Sequence, residues 1–171
     1  CFWGKTSEEI LMELRKDYIL DRWVVISEAR KKRPREFMEK QETSTGACSF
    51  CPGNEHLTPP ELDRVEKGGK WEVRCFPNKF PAFMESSSKA YGRHEVIVEA
   101  PEHQKSLSEL GEENIFDYLV LLQRRMKAAM ADSKLKYTSV FKNEGASAGA
   151  SLEHTHTQLV SMDFVPAIIK K

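Results

Sequence analysis

The run Phe-Lys-Asn-Glu-Gly-Ala-Ser-Ala-Gly-Ala-Ser-Leu-Glu-His-Thr-His-Thr-Gln, from Phe141 to Gln158, constrains this chain more than any other stretch. Tyr137 to Lys142 is rich in β-branched and aromatic residues and reads as a strand. Asn143 to Ser151 is mostly Gly, Ala and Ser, so backbone N–H groups there can close on a phosphate with little side chain in the way. The segment His154 to Ser161 reads as a second strand. Alternate residues of a strand share a face, so His154, His156 and Gln158 would stand in one row, about 7 Å between neighbours. Thr155, Thr157 and Leu159 would line the other face. Two imidazoles and an amide make a poor core face but a good catalytic edge beside a loop of small residues. A lone histidine or a lone Gly/Ala/Ser turn would say little; the combination points to chemistry on phosphate.

Asn143, Gly145, Gly149, Ser151, His154, His156 and Gln158 resemble the active-site segment of the galactose-1-phosphate uridylyltransferases, a branch of the histidine-triad superfamily. That family usually reads His-Pro-His-Gly-Gln or His-Pro-His-Ser-Gln. Here the run is His-Thr-His-Thr-Gln, with a hydroxyl residue between the histidines, which is similar to the plant-type ADP-glucose phosphorylase branch. The resemblance spans about Arg15 to Val165 and implies nucleotidyl transfer through a covalent histidine. It leaves the nucleotide and the acceptor open.

The 171 residues suit one domain, 1–171, with its own core. Lys and Arg number 26 against 26 Asp and Glu, which gives no electrostatic case for nucleic acid or membrane partners. Apolar residues make up 40% and form no run of bilayer length. With no charged-then-apolar leader at the start, the expected compartment is cytoplasmic. The chain begins at Cys1 and stops at Lys171, soon after the catalytic strand, and has no internal repeat. Members of the resembled family hold two related halves and act as dimers, so the expectation is the first half of such a protein, in a homodimer.

Cys48-x-x-Cys51 lets two sulfurs face one ion in a reducing compartment. A redox pair is the rival reading, but Pro52-Gly53 makes a tight turn where a thioredoxin-like pair would be followed by a helix. Two sulfurs cannot close a tetrahedral site, and five histidines (His56, His94, His103, His154, His156) could complete it. The resemblance places the remaining ligands at His103 and His154. Zinc would then be an architectural clamp on the catalytic strand.

Elsewhere, residues 1–16 show a short amphipathic pattern (Ile10, Leu11, Leu14, with Ser7 as a cap) that reads as a surface helix or arm. Asp21-Arg22 reads as a turn and Trp23 to Ser27 as a strand. Arg30 to Pro34 is a basic run; Arg30 and Arg33 fall on an Arg-x-x-Arg-Pro motif similar to the family's phosphate-binding element, contributed across the dimer. Residues 38–47 read as a polar connection. Trp71 to Phe76 and Glu95 to Glu99 read as strands, with His94 structural at the start of the second. The turn at Pro77 to Ala82 resembles the family's nucleotide-binding turn, with Asn78 at the ribose or base and Phe80 walling the base pocket. From Glu112 to Ala131, Ile115, Phe116, Leu119, Leu122, Met126, Ala129 and Met130 recur at helical period. The expected fold is α+β and histidine-triad-like: a mostly antiparallel sheet with one long packing helix.

On this reading His156 attacks the α-phosphorus of a nucleotide sugar, and Gln158 with the backbone near Ser151 holds the phosphoryl oxygens. A zinc-bound imidazole has no lone pair to attack with, so a ligand role for His154 leaves His156 as nucleophile. The second nitrogen of His156 should donate to a backbone carbonyl. The expected activity is uridylyl transfer between UDP-glucose and a hexose 1-phosphate. An ADP-glucose phosphorylase using inorganic phosphate is the alternative. A non-catalytic zinc-binding interaction module is a third reading, disfavoured by the balanced charge and the single Cys pair.

Overall fold

The structure is a computed structural model and describes residues 12–20, 22–28, 30, 48–103, 105–150 and 152–170. Seven strands and one α-helix are present among them: β1 (Met12–Asp17), β2 (Arg22–Ser27), β3 (Asp63–Lys67), β4 (Lys70–Pro77), β5 (Gly92–Val98), α1 (Glu112–Met130), β6 (Tyr137–Lys142) and β7 (His156–Met162). β1 and β2 form a two-stranded sheet, and the rest form a five-stranded sheet in the order β3-β4-β5-β7-β6. Every pairing is antiparallel. The α+β class with one long helix is therefore as expected.

Turn chemistry explains the two hairpins. Lys67 pairs with Lys70 around Gly68-Gly69, both at positive φ (55° and 76°), the conformation a two-residue hairpin loop needs. At the other hairpin, Asp17 Oδ1 accepts the N–H groups of Ile19 and Leu20, and Asp17 Oδ2 accepts from Arg22 Nε at 3.0 Å. Those bonds hold the Asp17 carboxyl below its usual range. They also turn residues 12–17 back on β2, so the helix or arm expected over 1–16 is a strand from Met12 onward. The rest of that expectation, with Ser7, Ile10 and Leu11, lies outside the described residues, as do Arg33 and 38–47.

β5 and β7 are central and buried on both faces, as the middle of a covered sheet should be. On one face Val73, Cys75, Ile97 and Leu159 pack against Tyr118 and Leu121 of α1. On the other, Phe50, Trp71, Phe76, Val96 and Val98 form a second cluster, while Met12, Phe83, Ala90, Val160 and Met162 seat the β1–β2 hairpin. The helix is rotated from the face its apolar residues suggest: Asp117, Tyr118, Leu121 and Ala129 are buried, whereas Phe116, Leu119 and Met130 are 66%, 51% and 77% exposed. Polar clips set that rotation. Arg125 reaches Glu95 of β5 through two bonds of 2.9 and 2.8 Å, Arg124 holds Asp63, and Lys67 bridges Glu113 and Asp117.

Candidate active site

His156 and Gln158 point to the face of β7 opposite α1, and Thr157 points to the helix, where Tyr118 OH lies 3.0 Å from its hydroxyl. His154 is not on the strand. β5 pairing begins at Val98↔His156 and β6 pairing at Lys142↔Thr157, so no ladder partner exists for residue 154. Instead the His154 ring bonds Ala100 O at 3.0 Å and Thr155 Oγ1 donates to Lys105 O at 2.7 Å, anchoring this segment to the loop after β5. The row of three expected on one strand is a strand pair preceded by a bend.

The two histidines use opposite nitrogens. A backbone carbonyl can only accept, so the Ala100 contact puts the proton of His154 on Nε2 and its lone pair on Nδ1. That Nδ1 lies 3.7 Å from Cys48 Sγ and 3.6 Å from Cys51 Sγ, and His103 Nδ1 lies 3.4 Å from Cys51 Sγ. Ligand atoms of Cys48, Cys51, His103 and His154 all fall within 4.8 Å of one another. Two thiols and two imidazoles, one with its tautomer set by a backbone carbonyl, fit a tetrahedral cation such as zinc. Burial lowers the His154 pKa, favouring the neutral form a ligand needs, while burial and the neighbouring Cys48 push the Cys51 thiol up to about 11. A bound cation would reverse that by taking the thiolate. Cys48 and Cys51 are free thiols, not a disulfide.

His156 Nδ1 lies 2.9 Å from His154 O, which fixes Nδ1 as donor and leaves the lone pair on Nε2. The ring borders a cavity of about 340 Å³ lined by Phe50, Phe76, Asn78, Phe80, Val96 and Leu152 among others. Phe50 stands edge-on to both His154 and His156, with centroids 6.1 and 5.3 Å away. Sequence reasoning passed over Phe50; its signal was an aromatic residue inside the Cys-x-x-Cys pair. Asn78 Oδ1 accepts the Phe80 N–H at 2.8 Å, so Asn78 shapes the turn as well as lining the cavity. Arg30 donates to the Phe80 carbonyl of its own chain at 3.3 Å, and burial lowers its pKa. Asn143 is half-buried just past β6, before the short turn at Ala146–Ala148. Gly145 and Gly149 take φ of 76° and 73° there, a conformation that side chains rarely adopt. Ser151 lies outside the described residues.

Residues 85–166 match the family model of the galactose-1-phosphate uridyl transferase N-terminal domain. Over that stretch the chain is similar to the galactose-1-phosphate uridylyltransferases. An ADP-glucose phosphorylase from Arabidopsis thaliana is 35% identical over 97% of this chain and 53% of its own. A galactose-1-phosphate uridylyltransferase from Haemophilus influenzae is 28% identical over 89% of this chain and 47% of its own. A crystal structure of the Arabidopsis thaliana ADP-glucose phosphorylase with bound ADP-glucose superposes with a TM-score of 0.68 at 35% identity, covering 94% of this chain and 51% of that one. The chain thus spans about half the length of the curated relatives it matches. No helix among the described residues is long and apolar enough to cross a membrane.

Proposed function

We propose that this chain carries the nucleotidyl-transfer site of an enzyme acting on nucleotide sugars, with His156 as the covalent nucleophile. The observation that carries the reading is the His156 Nδ1 contact with His154 O, which leaves an Nε2 lone pair on a ring bordering an aromatic cavity. His156 Nε2 attacks the α-phosphorus, the bond to the sugar phosphate breaks, and the sugar phosphate leaves with the electron pair. The acceptor's phosphate oxygen then attacks phosphorus and releases the imidazole. Gln158 and the backbone of the 143–151 loop hold the phosphoryl oxygens, with Arg30 and Arg33 as phosphate contacts and Phe80 and Asn78 at the base and ribose. Cys48, Cys51, His103 and His154 hold zinc, which supplies a structural clamp and takes no part in bond making.

The acceptor on this reading is a hexose 1-phosphate and the donor UDP-glucose. A second reading, adenylyl transfer from ADP-glucose to inorganic phosphate, draws support from the 35% identity to the Arabidopsis thaliana ADP-glucose phosphorylase, against 28% to the uridylyltransferase of Haemophilus influenzae. The full-length protein is mixed with UDP-glucose or ADP-glucose labelled in the α-phosphate, and the protein-bound label is counted. The mechanism predicts ping-pong kinetics and exchange of the nucleotide sugar with its own sugar phosphate when no acceptor is present. A ternary-complex rate law sinks it, and the sugar that labels the protein chooses between the readings. We also infer a cytoplasmic homodimer, supported by the free Cys48–Cys51 pair and by relatives about twice this length. Residues 1–171 alone should then turn over weakly, and a monomeric, fully active 1–171 in sedimentation and rate assays refutes this.

A further inference from the structure

We propose that His94 is a positioning residue of the transfer site, holding the Gln158 side chain so that its amide nitrogen, and not its oxygen, faces the phosphoryl group. The proposal rests on the reading of His156 as nucleophile and deepens it.

The backbone N–H of Ala82 can only donate, and it lies 3.0 Å from His94 Nδ1. Nδ1 therefore holds a lone pair, and a neutral imidazole then carries its proton on Nε2. That Nε2 lies 2.9 Å from Gln158 Oε1 and donates to it. The Asn78 amide nitrogen is 3.1 Å from the same ring nitrogen, but Asn78 Oδ1 is taken by the Phe80 N–H, so Asn78 offers only another donor there. The His94 proton goes to Gln158.

An amide whose oxygen is engaged can present only N–H elsewhere. Gln158 is 1% exposed, with its oxygen turned to His94. Gln158 and His156 occupy alternate positions on one face of β7, about 7 Å apart along the strand. Phosphoryl oxygens that gain charge during transfer would meet N–H. A flipped amide would set its carbonyl against them. His94 itself is 4% exposed and fixed opposite Val160, one alternate step from the Val96–Gln158 pair.

The test uses the full-length protein with ADP-glucose and UDP-glucose labelled in the α-phosphate, acid-quenched over a single turnover. His94→Phe should slow nucleotidylation roughly a hundredfold, the scale of losing one such donor, with nucleotide-sugar Kd and zinc content little changed. His94→Gln, which keeps a donor near the Nε2 position, should retain most of the rate. In a Gln158→Ala background His94→Phe should cost nothing more. An unchanged rate in His94→Phe, equal losses in His94→Gln and His94→Phe, or a full further loss on top of Gln158→Ala each overturns the proposal. Nitrogen NMR of the wild type gives a reading independent of folding in the variants: a protonated Nε2 supports the proposal and a protonated Nδ1 overturns it. If neither sugar labels the wild type, the nucleophile reading has failed, and the NMR result alone decides how Gln158 is held.

Discussion

At the scale of single residues, the site turns on which nitrogen of each histidine is occupied. His154 turns Nδ1 to the two sulfurs and gives Nε2 to Ala100 O; His156 gives Nδ1 to His154 O and keeps its lone pair on Nε2. His156→Gly should therefore abolish the covalent adduct and the exchange reaction while zinc content stays near one per chain. His154→Ala should lose zinc first, with activity falling as a consequence. Metal analysis beside acid-quenched labelling separates the two, and an adduct that survives His156→Gly sinks the mechanism. Behind the strand, Thr157 Oγ1 donates to the fully buried Glu99 at 2.6 Å, and Lys142 Nζ reaches the other Glu99 oxygen at 2.6 Å. Thr157→Val leaves one buried carboxylate oxygen and the Tyr118 hydroxyl short of a partner, so a loss of about 1–3 kcal/mol in urea unfolding is expected. The residue types of this constellation were legible in sequence, because His-Thr-His-Thr-Gln is rare outside chemistry. The tautomers were not, since the carbonyls that set them belong to Ala100 and His154, whose placement depends on the turn of the chain.

At the scale of elements, strands announced themselves wherever β-branched and aromatic residues clustered, as in Tyr137–Lys142, found with the expected bounds. β3, with the sequence Asp-Arg-Val-Glu-Lys, carries no such cluster, and its only local signal is the Gly68-Gly69 turn that follows it. The helix shows why periodicity alone misleads about orientation. Its apolar stripe lies partly in solvent, while Arg125 and Arg124 on its other flanks reach Glu95 and Asp63, and Lys67 of β3 reaches Asp117 of the helix. Leu121→Ala should accordingly cost about 2–5 kcal/mol, because Leu121 is fully buried against Val73 and Ile97. Phe116→Ala, at a position 66% exposed, should cost well under ~1 kcal/mol despite the larger side chain. Urea titrations of the two variants check the rotation directly, and the reverse ranking would show that the helix packs through the stripe its sequence suggests.

At the scale of the whole molecule, the candidate metal cluster joins parts of the chain that are otherwise far apart. Its contacts link Cys48 to His154 across 106 residues and Cys51 to His103 across 52. The segments carrying His103 and His154 have no sheet pairing of their own, and the Cys48–Cys51 turn is held beside the cavity by Phe50 packing on Phe76. A cross-link over a loop of about 100 residues limits the unfolded chain by roughly 4–5 kcal/mol in the chain-entropy model. For a chain of this length that corresponds to a Tm lower by roughly 10–20 °C once zinc is removed. The loss should also be uneven. Val73, Cys75, Leu121 and Leu159 form a core that needs no metal, so hydrogen exchange after chelation should rise first at 48–51, 100–105 and 152–156 and last in β4 and α1. Replacing Cys48 or Cys51 by Ser should reproduce both effects. A chelated, metal-free protein that melts with the native one, or exchanges uniformly faster, would show that the four residues lie together without serving as a clamp.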